Sequence, residues 1–226
     1  MFERIEKIIS KDKLSKLTDK KVMIIGIGGV GGYVCEALVR SGIKNFILID
    51  KDTVDITNKN RQIIALDSTI GKNKTDVMKD RILDINKECN VITLNMFLDK
   101  DNTYNIINEY KPDYVIDACD TMTVKQEIIR SCIKLNISFI CSMGTGNRLD
   151  PSKLEITDIR KTDYDPVAKI MRKFIKDEKI KNKIPVLISR EIPIKTGDRT
   201  PGSTSFVPSS AGLLIASYVF NDIINK

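Results

Sequence analysis

Apolar residues along the chain gather into short β-branched runs separated by longer stretches of helical spacing. Residues 22–25, 46–49, 91–95, 114–116 and 138–141 are compact apolar runs, the pattern of strands buried on both faces. Between them, apolar positions recur three and four apart. Val34, Leu38 and Val39 mark one helix that Gly42 closes, and Val77, Ile82 and Ile85 mark another from about Lys74 to Lys87. Residues 102–110 and 126–135 predict two more. The opening segment, 2–17, reads as a helix with Ile5, Ile8, Ile9, Leu14 and Leu17 between charges, an arm laid on the body or on a second subunit. Beyond Pro151 the periodicity changes. Residues 154–159 and 186–190 read as strands flanking a basic helix of roughly Asp165 to Asp177, and 210–224 reads as an apolar terminal helix that packs into the core.

Strands alternating with helices predict an α/β protein: a Rossmann-like, doubly wound, largely parallel sheet with helices on both faces, in a single domain. The turn after the first strand sharpens the picture. Gly26, Gly28, Gly29 and Gly31, with Gly32, remove Cβ atoms there, so backbone N–H groups can approach an anion at the N-terminus of the following helix. Asp50 ends the second strand about twenty positions on, placed to accept a hydrogen bond from a ribose hydroxyl. Strand, glycine turn, helix and acid together predict nucleotide binding, although the glycines do not say which nucleotide. The chain therefore divides into an arm at 1–17, a nucleotide-binding core at 18–150 and a C-terminal part at 151–226.

Downstream come Asp52, Asn58, Arg61, Gln62, Lys74 and Asp120. An arginine and a lysine in the phosphate cleft suit a triphosphate better than a dinucleotide. They neutralise phosphate charge, Lys74 adds the dipole of the helix it opens, and Asp120 can hold Mg²⁺. There is no GxxxxGK[ST] motif. Ligands in such sheets bind beyond the carboxyl ends of the strands, so the glycine turn, Asp50, Asp120 and the loop after Cys141 are expected to share one cleft.

Charge adds a second candidate surface. The net charge is +7, and residues 169–190 hold eight basic side chains against two acidic ones. Lys169, Arg172, Lys173 and Lys176 form a candidate RNA-binding patch, with a solvated lysine-rich face as the alternative reading. The chain has no histidine, and its five cysteines form no CxxC pair, which argues against a zinc site. Its charged opening carries no export signal and no apolar run stands out as a bilayer span, so the expected location is cytoplasmic, without a membrane partner.

GIGGVGG, LIDKDTVDITNKNRQ, GKNK and DACD stand in the order and spacing of a known family, and the likeness spans almost the whole chain. The sequence resembles the ATP-dependent adenylating enzymes that include the activators of ubiquitin-like and sulfur-carrier proteins. Within that family NRQ, ICSMGTGNRLDP, PGSTSFVPSSAGLLIAS and the opening FERIEKIISKDKLSKL are similar to the tRNA threonylcarbamoyladenosine dehydratase branch. The resemblance implies ATP packed on the glycine turn, its ribose on Asp50, its phosphates near Asn58, Arg61 and Lys74, and Mg²⁺ on Asp120. It also implies a homodimer in which Arg4 reaches the neighbouring subunit's ATP, tRNA as substrate, and a cysteine desulfurase or other sulfur-relay protein as a further partner. The implied reaction is adenylation of the threonyl carboxylate followed by cyclisation. Activation of a small carrier protein's C-terminus is the alternative, and a nucleotide- or RNA-binding module and a nicotinamide-dependent oxidoreductase rank below it. The carrier-protein activators commonly carry paired CxxC zinc motifs, which this chain lacks. Cys119 and Cys141 fall near the expected cleft, where small apolar packing accounts for them.

Overall fold

Alternate residues of each central strand enter different cores. Val22, Ile24, Phe46 and Leu48 join one apolar cluster, whereas Met23, Ile25, Ile47 and Ile49 join the other. A strand apolar at every position therefore has a layer of helices to bury against on each side. The computed structural model describes residues 1–197 and 200–226. Its strands are β1 (Lys21–Ile25), β2 (Asn45–Ile49), β3 (Asn90–Leu94), β4 (Tyr114–Asp117), β5 (Ser138–Ser142), β6 (Leu154–Asp158) and β7 (Pro185–Ser189). They form one sheet in the order β3-β2-β1-β4-β5-β7-β6, parallel except where β6 pairs antiparallel with β7.

The helices are α1 (Glu3–Glu6), α2 (Lys11–Asp19), α3 (Gly31–Arg40), α4 (Lys74–Ile85), α5 (Thr103–Tyr110), α6 (Met122–Leu135), α7 (Pro166–Asp177) and α8 (Phe206–Ile224). Leu14, Val34, Val77 and Ile215 put α2, α3, α4 and α8 in the first cluster. Ile107, Ile128 and Met171 put α5, α6 and α7 in the second. This is the expected doubly wound architecture.

Three expectations shift at helix ends. The single opening helix is two, because the Ser10 side chain accepts from Lys13 N at 3.3 Å and caps a new start. Ile8 is left 85% exposed as a result. α8 begins four residues earlier than its apolar pattern suggests, with Pro208 in its first turn, where a missing N–H costs nothing. α6 likewise starts four residues early, at Met122. By length and composition α8 could cross a membrane, contrary to the sequence expectation, yet half of that stretch is buried inside the protein. Gly212 brings it close to α3, since a Cβ there would meet the Tyr33 Cβ at 2.8 Å.

Candidate active site

The sheet order reverses between β1 and β4, and crossovers leaving these strands in opposite directions open a crevice at their carboxyl ends. A cavity of about 340 Å³ lies there, in the size range of small-molecule sites. Gly26, Gly28 and Gly29 form part of its wall. Gly26 has φ +92, and a Cβ on it would meet the Ala118 carbonyl oxygen at 2.7 Å. Only glycine fits the turn that passes from β1 over the end of β4. Gly31 does not reach the cavity. It is buried at the start of α3, where a Cβ would collide with the Gly26 carbonyl, so its work is to let the turn close.

Asp50 braces this turn from β2. One carboxylate oxygen accepts from Ile27 N at 2.6 Å and the other from Asp52 N at 2.9 Å. Two cations line the same cavity. Lys74 opens α4 and is almost wholly buried, with its ammonium 3.0 Å from Asp52. Arg61 donates from Nη1 to the Thr57 carbonyl and to Asn60 Oδ1, both at 2.9 Å, which holds the guanidinium beside the glycine turn. Asn58 caps the short 3₁₀ turn Ile56–Asn58 by accepting from Asp55 N at 3.1 Å. Gln62 is 7% exposed, and its Oε1 is buried with no hydrogen-bond donor among the described residues. An orphaned acceptor beside a cavity points to a ligand that donates to it. Asp120 also lines the cavity and is exposed, and the Thr121 hydroxyl donates to it at 3.4 Å.

Of the residues expected from sequence, Gly26, Gly28, Gly29, Asp50, Asp52, Asn58, Arg61, Gln62, Lys74 and Asp120 line this one cavity. Arg4 does not. It is exposed on α1, away from its own chain's cavity. The loop after β5 is also outside the lining: Gly144 N donates to the Asp165 carboxylate at 3.0 Å at the start of α7, and Asn147 accepts from Gly202 N at 2.6 Å in the segment before α8. In the basic segment Lys169, Lys173 and Lys176 are exposed, but Arg172 turns inward and donates to Thr162.

The sequence reading missed the apolar wall. Ile25, Ile49, Met96, Phe97, Leu98 and Val124 line the same cavity as the polar groups, and the Lys51 ammonium lies 4.8 Å from the Phe97 ring centre. Residues 96–98 follow β3, so the carboxyl-end rule could have flagged them. Also missed was a buried pair below Asp120. Lys125 lies 3.0 and 3.1 Å from the Asp117 carboxylate oxygens and donates to the Ser142 carbonyl at 2.7 Å. A lysine on an otherwise apolar helix face was its signal. Cys119 lines the cavity, but burial and the adjacent Asp117 push its thiol well above the usual range, and it donates to Asp117 at 3.0 Å. Such a thiol stays protonated and is a poor nucleophile.

A glycine turn at a topological switch point, with two cations and one open carboxylate in the same cavity, is the arrangement of a nucleotide-binding α/β protein without a P-loop. The chain belongs to the ThiF family, whose model matches residues 3–159. It is 43% identical to the tRNA threonylcarbamoyladenosine dehydratase of Bacillus subtilis, over 99% of this chain and 94% of that one. The Escherichia coli tRNA N6-threonylcarbamoyladenosine dehydratase in complex with ATP superposes with a TM-score of 0.93 at 32% identity, over 99% and 93% of the two chains. The same enzyme in complex with AMP superposes with a TM-score of 0.91, over 97% and 92%.

Proposed function

We propose that this chain is an ATP-dependent tRNA threonylcarbamoyladenosine dehydratase. The observation that carries the reading is the convergence of Arg61, Lys74 and Asp120 on the glycine turn, in a chain that matches such dehydratases from end to end. The polar and apolar walls take the two ends of ATP. Its base lies against Met96, Phe97 and Leu98, its ribose on Asp50, and its phosphates against the turn, Asn58, Arg61 and Lys74. Gln62 Oε1 accepts from the bound nucleotide.

The threonyl carboxylate of the modified adenosine attacks the α-phosphorus. A new O–P bond forms, the α–β bridge breaks and pyrophosphate leaves, its charge held by Arg61 and Lys74. A heteroatom of the same side chain then attacks the acyl carbon, and AMP departs with the carboxyl oxygen. The second nucleophile is part of the substrate, so the protein supplies position and charge and needs neither histidine nor thiolate. Asp120 fits Mg²⁺, which takes one or two carboxylates and otherwise phosphates and water. When bound, that ion neutralises charge on the phosphates. Arg4, which does not line its own cavity, serves the cavity of a second copy, and a cytoplasmic location accords with a tRNA substrate.

Incubating the protein with tRNA, ATP and Mg²⁺ tests the reading. Mass spectrometry of the digested tRNA should show threonylcarbamoyladenosine losing one water, about 18 mass units, with one AMP released per event. Unchanged nucleoside in the presence of ATP would overturn it.

A further inference from the structure

Tyr164 stands out on the surface at the carboxyl edge of the sheet. It is 58% exposed, and its backbone is left-handed, with φ +49, a conformation that costs an ordinary residue on the order of 1 kcal/mol and that clusters at functional positions. Both neighbours are fixed. Asp163 accepts from Arg190 at 2.8 Å. Asp165 is 3% exposed and accepts from Gly144 N at 3.0 Å and from Ala168 N at 2.9 Å. The chain on either side of the ring is therefore anchored while the ring itself faces solvent.

Its position in the fold is specific. Gly144 follows β5, the strand next to β4, and β4 leads directly to Asp120. Tyr164 accordingly sits at the carboxyl edge of the sheet, over the ends of β5 and β7, to one side of the proposed reaction centre at the end of β4. From there α7 leads away with Lys169, Lys173 and Lys176 on its exposed face, at a spacing of four and three residues. They span about 10 Å of helix axis, and none is in an ion pair among the described residues. Arg172 is excluded from this row by its bonds to Thr162.

An exposed aromatic ring followed by a row of free ammonium groups is the chemistry that binds single-stranded nucleic acid: bases stack on the ring and phosphates lie along the cations. We propose that Tyr164 is the stacking platform for a base neighbouring the modified adenosine, with Lys169 and Lys173 on the adjoining phosphates. This rests on the dehydratase reading and names the surface that presents the loop to the cavity. The ring would fix the direction from which the threonyl carboxylate enters.

The chain has no tryptophan, so Tyr164→Trp creates a single fluorescent reporter. Titrated with a stem-loop RNA carrying threonylcarbamoyladenosine in its loop, that reporter should be quenched to saturation. Tyr164→Gly accepts the left-handed backbone and should melt with the wild type, yet bind the RNA about five- to hundredfold more weakly and raise the KM for tRNA alike, with the KM for ATP unchanged. Tyr164→Phe should bind as the wild type does. Lys169→Gln with Lys173→Gln should reduce the slope of affinity against salt by about 2, a slope that Tyr164→Gly leaves alone. Undiminished binding by Tyr164→Gly, or an equal loss in Tyr164→Phe, overturns the assignment while leaving the dehydratase reading standing. A wild-type protein that dehydrates no tRNA overturns both.

Discussion

At the scale of single residues the two cations of the cavity differ: Lys74 keeps Asp52 as its partner, whereas Arg61 has no carboxylate among the described residues. Arg61 is bound through one Nη by a carbonyl and a side-chain amide, neither of which is anionic, so its charge remains for a ligand. Arg61→Ala should lower kcat/KM by at least about 10²-fold, as removal of a transition-state donor does, while the melting temperature stays put. Steady-state kinetics beside a thermal melt would check both halves. A different carboxylate carries a pH dependence of stability. Burial alone would raise the Glu36 pKa, but Arg81 and Arg40 hydrogen-bond it at 2.6 and 2.7 Å and hold it below the usual carboxylate range. Its folded pKa lies below its unfolded one, so the stabilisation is complete above the ordinary glutamate value and disappears as pH falls through the folded value. Glu36→Gln should therefore cost about 1–2 kcal/mol at pH 7, as loss of charge-assisted hydrogen bonds does, with the wild type and the variant converging as pH falls below the ordinary glutamate value. Urea titrations at several pH values would show the convergence.

At the scale of elements the decisive joint is the one between β4, α6 and β5. The carboxylate of Asp117, the ammonium of Lys125 and the carbonyl of Ser142 meet where all three are buried. This joint lies under the turn Ala118–Thr121 that presents Asp120. Removing one partner leaves a buried charge unmatched, which costs far more than removing both. Lys125→Met should destabilise by about 3–5 kcal/mol, and adding Asp117→Asn should restore much of that. Denaturant midpoints of the single and double variants test the coupling. The glycine turn is the corresponding joint on β1. Its legibility in the sequence came from spacing alone, yet spacing did not separate Gly26, Gly28 and Gly29, which face the cavity, from Gly31, which is excluded from it by packing against Gly26.

At the scale of the whole molecule, α1 and α2 form an arm whose anchor is Leu14 and Leu17, while Arg4 is left in solvent. If Arg4 completes a neighbour's cavity, Arg4→Ala and Asp120→Ala each impair every site in their own dimers. Mixed dimers would contain one site with both residues intact. Mixing the two variants after subunit exchange should then recover up to about a quarter of wild-type turnover, the statistical share of intact sites. Activity that never exceeds the sum of the separate variants would place Arg4 outside the reaction.

What the sequence by itself determined was local and periodic. Apolar runs named the strands, three-and-four spacing named the helices, and their alternation named the doubly wound sheet, because burial on two faces leaves no other pattern. The polar wall was legible too, since Gly26, Asp50, Lys74 and Asp120 each stand near a strand end or a helix start and one topological rule gathers such positions, with Arg61 in the connection between them. Only the tertiary structure decided where side chains and loops turned. Thr162 drew Arg172 inward, Asp165 drew the loop after β5 from the cavity, and Lys125 sank onto Asp117. Each of these outcomes depends on a partner 8 to 21 positions away, beyond the reach of local periodicity. Met96, Phe97 and Leu98 became the apolar wall for the same reason: β3 brings them to β2, and a sequence pattern does not record which strands lie side by side.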